Sequence, residues 1–140
     1  MSKIEFYFEE IEPLKLNRKL IQQAVDFLVE NEGKLPGEVS VIFCSDDYLL
    51  KINEQYLHHD YYTDIVTFDY VENSVISGDL FISVDRVEDN AGQLGVDFDK
   101  ELSRVVLHGV LHLVGYKDKT DEEKVVMRGK EDFYLVKAGF

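Results

Sequence analysis

The sequence predicts an α+β fold, with a mixed sheet of about four strands packed by about five helices. Three observations lead there. Alternating and helical hydrophobic patterns interleave over residues 4–94, and after that only helical patterns occur. An almost continuous aliphatic run from Val105 to Val114 is broken by polar residues at helical spacing. Capping residues stand at most of the boundaries between segments.

The elements follow in order. Ile4 to Glu9 alternates and reads as a strand. Asn17 can cap a helix whose apolar face is Leu20, Ile21, Ala24, Val25 and Leu28, ending before Gly33. Val39 to Cys44 is a second strand, and Ser45 or Asp46 starts a helix carrying Leu49, Ile52 and Tyr56 on one side. Asp64–Val71 and Gly78–Val84 are two strands joined by the polar turn Glu72, Asn73 and Ser74, most simply an antiparallel hairpin. Gly78 and Asp79, at the start of the second of these, suit a turn. Asp85 opens a short helix (Val87, Ala91, Leu94) that stops at Gly95. Asp97 or Asp99 caps a helix over Lys100–Val114 that stops at Gly115. Thr120 to Glu123 forms a capping box, opening a last helix to about Ala138. The order β-α-β-α-β-β-α-α-α gives a mixed sheet with right-handed first crossovers.

Length and composition make residues 1–140 a single domain able to bury a core, with 45% hydrophobic residues arguing against disorder. No stretch approaches the roughly 18 apolar residues that would span a membrane, and the acidic N-terminus is wrong for a secretory or transit peptide. The one cysteine, Cys44, lies in an apolar run and reads as a buried core thiol; a reducing cytoplasm is the expected compartment. Fifteen Lys and Arg against 28 Asp and Glu leave a net charge of −13. Tight, indiscriminate binding to a polyanion is therefore excluded, and a nucleic-acid substrate must be met through a local basic rim or delivered by a partner.

On a wheel of about 100° per residue, Glu101, Arg104, His108 and His112 form one polar stripe on an otherwise aliphatic helix. Such a helix is mostly buried, with a single polar seam opening onto a cleft. Imidazoles four residues apart on that seam can reach one ion. Gly115 then permits a sharp turn, and Asp118 follows three residues later, close enough to swing back as a third ligand. Asp121 or Glu122 would serve instead if the loop is longer. The pattern H-x-x-x-H-x-x-G-x-x-D has the ligand spacing of the metzincin motif, with Asp in the third His position. A zinc protease of that pattern carries a Glu general base directly after its first His. Here that position is Gly109, which cannot activate water, so peptide hydrolysis falls behind.

The run His108-Gly-Val-Leu-His-Leu-Val-Gly-Tyr116, with Met127 and Glu131 downstream, resembles the signature of the YbeY family of metal-dependent rRNA-maturation endoribonucleases. Two further blocks, Ile52–Phe68 and Gly78–Ser83, match that family in order and spacing, so the resemblance covers about Ile52 to Glu131. It implies a mixed sheet packed by helices, with the metal-binding helix central. It also implies RNA phosphodiester hydrolysis by a metal-activated water, with ribosomal RNA or its precursor as substrate and the ribosome or a ribosomal protein as partner. Neither a membrane nor DNA is implied.

Two departures from the family stand out. The family's Asp-His after Gly-Tyr is Lys117-Asp118 here; Asp is a competent zinc ligand, so the expected centre is Zn2+, or another divalent transition metal, on His108, His112 and Asp118. The family's Arg after the Tyr of the first of these two blocks is Leu57, which cannot clamp phosphate. Lys117 and Arg104 are the expected catalytic cations in its place, with His58 or His59 as other sources of charge. The bland readings of the remaining residues are solvated histidines at 58 and 59, turn-closing Asp60, Thr63 and Asp64, a core Met127, and a Tyr116 that covers the core or donates to substrate. Leu57 also leaves a second function class open, a non-catalytic ribosome-associated factor. Two His and a carboxylate can hold non-haem iron too, but the H-x-x-x-H helix fits zinc better.

Overall fold

The computed structural model describes residues 1–140. It contains β1 (Lys3–Glu9), α1 (Arg18–Asn31), β2 (Leu35–Cys44), α2 (Asp46–Leu57), β3 (Ile65–Asp69), β4 (Val75–Ser83), α3 (Val84–Leu94), α4 (Phe98–Val114) and α5 (Asp121–Ala138). The expected order of elements is therefore the observed one. The strands form one mixed sheet in the order β1-β2-β4-β3. β1 and β4 flank β2 in parallel, and β3 closes the edge as the antiparallel arm of the β3–β4 hairpin.

Local chemistry sets the boundaries. Asn17, Ser45 and Ser83 each accept a hydrogen bond from a backbone amide in the first turn of the helix that follows, at 3.1–3.2 Å. α3 is thus capped by Ser83 and begins one residue before Asp85. Thr120 and Glu123 make the reciprocal capping box. Asp97 occupies the cap of α4 without a side-chain bond, although Asp99 and Glu101 place negative charge in its first turn. β2 begins four residues earlier than its apolar run, because Leu35 and Pro36 pair with Val75 and Ile76 across an irregularity before Val39.

One face of the sheet carries a cluster of 22 buried residues drawn from α1, β2, β4, α3, α4 and α5. The opposite face carries α2, which seats Leu49 against Cys44 and Val66. Cys44 is fully buried, its Sγ 3.5 Å from the Ile82 carbonyl, and burial pushes its thiol up to about 12. It is an inert core thiol, as its apolar neighbours predict.

α4 lies at the centre, touching α1, α3, α5, β3 and β4. It approaches the sheet closely because two glycines remove side chains from the contact. A Cβ on Gly109 would stand 2.8 Å from Ile65 Cδ1 and 2.9 Å from both Leu80 methyls. A Cβ on Gly78 would stand 2.4 Å from the Phe68 carbonyl oxygen and 2.8 Å from Leu113 Cδ2. Gly78 is thus not a turn residue. β4 starts three residues before it, and its inward positions Ile76, Gly78, Leu80 and Ile82 alternate under α4.

The two glycines differ in what they meet, and their substitutions should differ too. Gly78→Ala collides with backbone and should lower unfolding free energy by about 2–3 kcal/mol. Gly109→Ala meets flexible side-chain ends and gains helix propensity of about 1 kcal/mol, so its net loss should be smaller. Urea denaturation followed by circular dichroism checks the order.

Candidate metal centre

α4 places its polar stripe along one seam. Glu101 is buried, Arg104, His108 and His112 are half-buried, and the intervening residues Leu102, Ser103, Val105–Leu107 and Gly109–Leu111 are all buried. After Val114, Gly115 takes φ +124°, and its amide bonds the Leu111 and His112 carbonyls. That turn carries Lys117–Asp118 back over the end of the helix.

Three ligand atoms converge. His108 Nε2 and His112 Nε2 are 3.0 Å apart, and Asp118 Oδ2 lies 3.1 Å from the first and 3.3 Å from the second. Ligands about 2.0–2.1 Å from a tetrahedral ion stand about 3.3–3.4 Å from each other, so this triangle is close to one face of a zinc site. Asp121 and Glu122 lie exposed in the first turn of α5, and the cluster of possible ligands is His108, His112 and Asp118 alone.

Both rings are held in the tautomer that ligation needs. His108 Nδ1 is 2.6 Å from Glu131 Oε2, and His112 Nδ1 is 2.9 Å from the Tyr116 carbonyl oxygen. A carbonyl or an ionised carboxylate only accepts, so each Nδ1 carries the proton and donates it. Each Nε2 then presents its lone pair to the shared point. Burial disfavours the charged form of His108, but the Glu131 hydrogen bond and charge, aided by Asp118 and Asp64, outweigh it and raise the imidazole above its ordinary value. A cation taking these lone pairs competes with that proton.

Glu131 projects from α5, is buried, and has its charge compensated by Arg104 Nη1 at 3.2 Å and Arg128 Nη1 at 3.4 Å. Arg104 also binds Asp132 through Nη2 at 2.7 Å and lies 3.7 Å from Glu101. Its guanidinium is ringed by carboxylates and lines a small polar cavity of about 290 Å³ that His108 and Asp118 share. Tyr116 is tethered at both ends. Its carbonyl holds His112, and its hydroxyl donates to Glu32 Oε1 at 2.6 Å. Glu32 also accepts from Tyr134 and from Lys130 Nζ at 3.1 Å. Burial pushes the Glu32 carboxyl up, but these hydrogen bonds and the Lys130 charge hold it below its ordinary value.

A larger open groove of about 740 Å³ runs past His108, His112 and Asp118 between residues 53–69 and residues 115–119. Lys117 and Lys119 are exposed along it, and Leu57 forms part of the opposite wall. His58 lies outside the groove, closing α2 with φ +57°. Met127 is buried in the main core, although it borders the small cavity.

The family model described as Endoribonuclease YbeY matches residues 4–139. The chain belongs to the YbeY family. An Endoribonuclease YbeY of Porphyromonas gingivalis is 43% identical, covering 97% of this chain and 90% of that protein. One of Phocaeicola vulgatus is 56% identical over 71% of this chain and 72% of that protein. The solution structure of TM1509 from Thermotoga maritima matches with a TM-score of 0.66 at 31% identity, covering 96% of this chain and 88% of that one.

Within this YbeY-family chain, two residues matter more than their sequence context suggested. Asp64 does close the start of β3, its carbonyl accepting from the Ser83 amide at 2.9 Å, but it also lines both cavities beside His108. Burial raises its carboxyl above the ordinary value, opposed by the His108 charge. Glu32 gave no signal, because its partners lie 84 to 102 residues away in sequence.

Replacing Glu131 with Gln keeps its shape and removes the charge that orients His108. Zn2+ affinity, measured by chelator competition, should fall about 10- to 100-fold while circular dichroism is unchanged. Because the folded value of Glu32 is lowered, its stabilisation is complete above the unfolded carboxyl value of about 4.3 and is lost as pH falls through the folded value. Glu32→Gln should therefore lower stability by roughly 1–3 kcal/mol at pH 7. The gap from wild type in thermal melts should narrow below about pH 4.

Proposed function

We propose that this chain is a metal-dependent endoribonuclease that hydrolyses phosphodiesters of single-stranded RNA, with ribosomal RNA precursor as substrate and Zn2+ on His108, His112 and Asp118. The observation that carries the proposal is the pair of Nδ1 tethers, which turn both Nε2 lone pairs to a common point that one Asp118 oxygen, carried by the turn after Gly115, also reaches. Two nitrogens and one oxygen are a zinc donor set, and three protein ligands leave a fourth position for water or substrate. A bound ion there supplies a water of lowered pKa and a Lewis acid for the phosphate.

The chain's own groups divide the remaining work. Lys117 flanks the ligands on the exposed rim of the groove and meets phosphate charge as a mobile cation. Arg104 is a positioning residue: its guanidinium is committed to Glu131 and Asp132, and it acts on the centre through the carboxylate that holds His108. Asp64 is the carboxylate available to accept a proton, since it lines both cavities next to His108 and is not one of the three ligands. The groove of about 740 Å³ that borders the cluster gives room for a strand of RNA beside it.

Leu57 supports a second reading. It lines the groove where the family pattern has a cation, so a ribosome-associated metalloprotein without nuclease activity is the alternative. The ribosome, or a protein on it, is the partner in either case, and the cytoplasm is the compartment.

Purified protein should contain about one equivalent of metal by elemental analysis, lost in a His108→Ala/His112→Ala double variant. Metal-loaded wild type should cleave rRNA precursor. Asp118→Ala should lose at least about 100-fold in rate, and Lys117→Ala about 10-fold. Co-sedimentation with ribosomes without any cleavage by the loaded wild type would leave the binding factor standing.

A further inference from the structure

The large groove carries a second feature besides the His108–His112–Asp118 cluster. His59 and Tyr61 stack on each other, their ring centroids 5.1 Å apart and planes 19° from parallel. The Tyr61 hydroxyl lies 3.1 Å from His59 Nδ1. Both line the same groove as His108, His112 and Asp118, yet Tyr61 keeps 55% of its surface in solvent.

The pair is displayed on a fixed support. Asn53 on α2 is 2% exposed, and its side-chain amide donates to the Tyr61 carbonyl at 3.0 Å. The Asn53 carbonyl accepts from the His59 amide at 3.2 Å. One buried residue thus pins the backbone on both sides of Asp60, which lowers the cost of ordering this loop at binding. Lys117 and Lys119 line the same groove and can meet a phosphate backbone there, with Asp64, Asp69 and Asp118 also in its lining.

Resting on the endoribonuclease reading, we propose that the His59–Tyr61 stack is a base-stacking platform for a nucleotide of the single-stranded RNA substrate, seated in the groove beside the metal ligands with its backbone toward Lys117 and Lys119. The chemistry suits this chain in particular. With a net charge of −13, it has little general attraction for a polyanion, and Leu57 contributes no cation. Stacking draws on the π-face that every base has and does not depend on the protein's overall field. It also favours single strands, because bases in a duplex are already stacked.

The test uses the full chain and fluorescence anisotropy with two labelled probes of equal length. One is a single-stranded 2′-O-methyl oligoribonucleotide that resists cleavage; the other is the same backbone without bases. Wild type should bind the base-bearing probe about tenfold more tightly than the abasic one. Tyr61→Ala should lose most of that difference, Tyr61→Phe should retain it, and Tyr70→Ala, at an exposed tyrosine outside the groove, should behave as wild type. Equal binding of the two probes by wild type, no binding of either, or a Tyr61→Ala variant that still discriminates with unchanged metal content would overturn the platform. Cleavage of rRNA precursor by wild type is scored separately, so a failed platform with retained cleavage leaves the nuclease intact, and the reverse result removes the nuclease alone.

Discussion

The contact between His108 Nδ1 and Glu131 is the constraint on which the rest of the centre depends. A histidine pair on a helix can satisfy itself in many ways, and most of them turn a protonated nitrogen toward the partner ring. Here a carboxylate from another helix fixes one proton, and a carbonyl from the following turn fixes the other. The two rings are left with facing lone pairs 3.0 Å apart, an arrangement that is unfavourable unless a cation or a proton lies between them. Burying Glu131 is itself costly, and Arg104 and Arg128 offset that cost. The polar seam of α4 is therefore one electrostatic unit. Glu101 and Arg104 belong to it as support for the charge behind His108.

Packing explains why this unit can sit where it does. A helix lined with Val and Leu on every side but one must be enclosed, and α4 is enclosed by the sheet on one side and by α1, α3 and α5 elsewhere. The residue after His108 points at the sheet, where a Cβ would already stand 2.8–2.9 Å from the methyls of Ile65 and Leu80. A Glu at that position, as in the zinc proteases with similar ligand spacing, would drive a charged side chain into the core. Gly109 thus removes a general base from the helix itself. The carboxylate that lines both cavities beside His108, outside the His108–His112–Asp118 cluster, is Asp64 at the start of β3.

What could be read in the sequence follows a physical division. The order of elements, the antiparallel hairpin, the caps at Asn17, Ser45 and Thr120, and the seam of α4 are local, so periodicity and short-range chemistry reveal them. Asp118 was legible because six residues and a glycine turn separate it from His112. The strand order was not, since nothing in β1 or β2 states that β4, and not β3, pairs with β2. Gly78 was misplaced because a glycine at a steric contact and a glycine in a turn look the same without the partner, here Leu113 on α4. Glu131 was visible only through family likeness, and Glu32 not at all. The ion pairs of Arg104 were hidden for the same reason: its neighbours on α5 lie 27 and 28 positions onward.

These long-range contacts also separate two tasks within the chain. Everything that fixes the three clustered side chains comes from α4, the turn after it and α5, with Glu32, the C-cap of α1, bracing Tyr116 from behind. Everything on the opposite wall of the groove comes from α2, the loop after it and β3, braced by Asn53. The two walls meet only through the close seating of α4 on β3 and β4 that Gly109 and Gly78 permit. On the wall opposite the cluster Leu57 offers no charge, and the exposed His59–Tyr61 pair offers aromatic surface in the same groove as the His108–His112–Asp118 cluster.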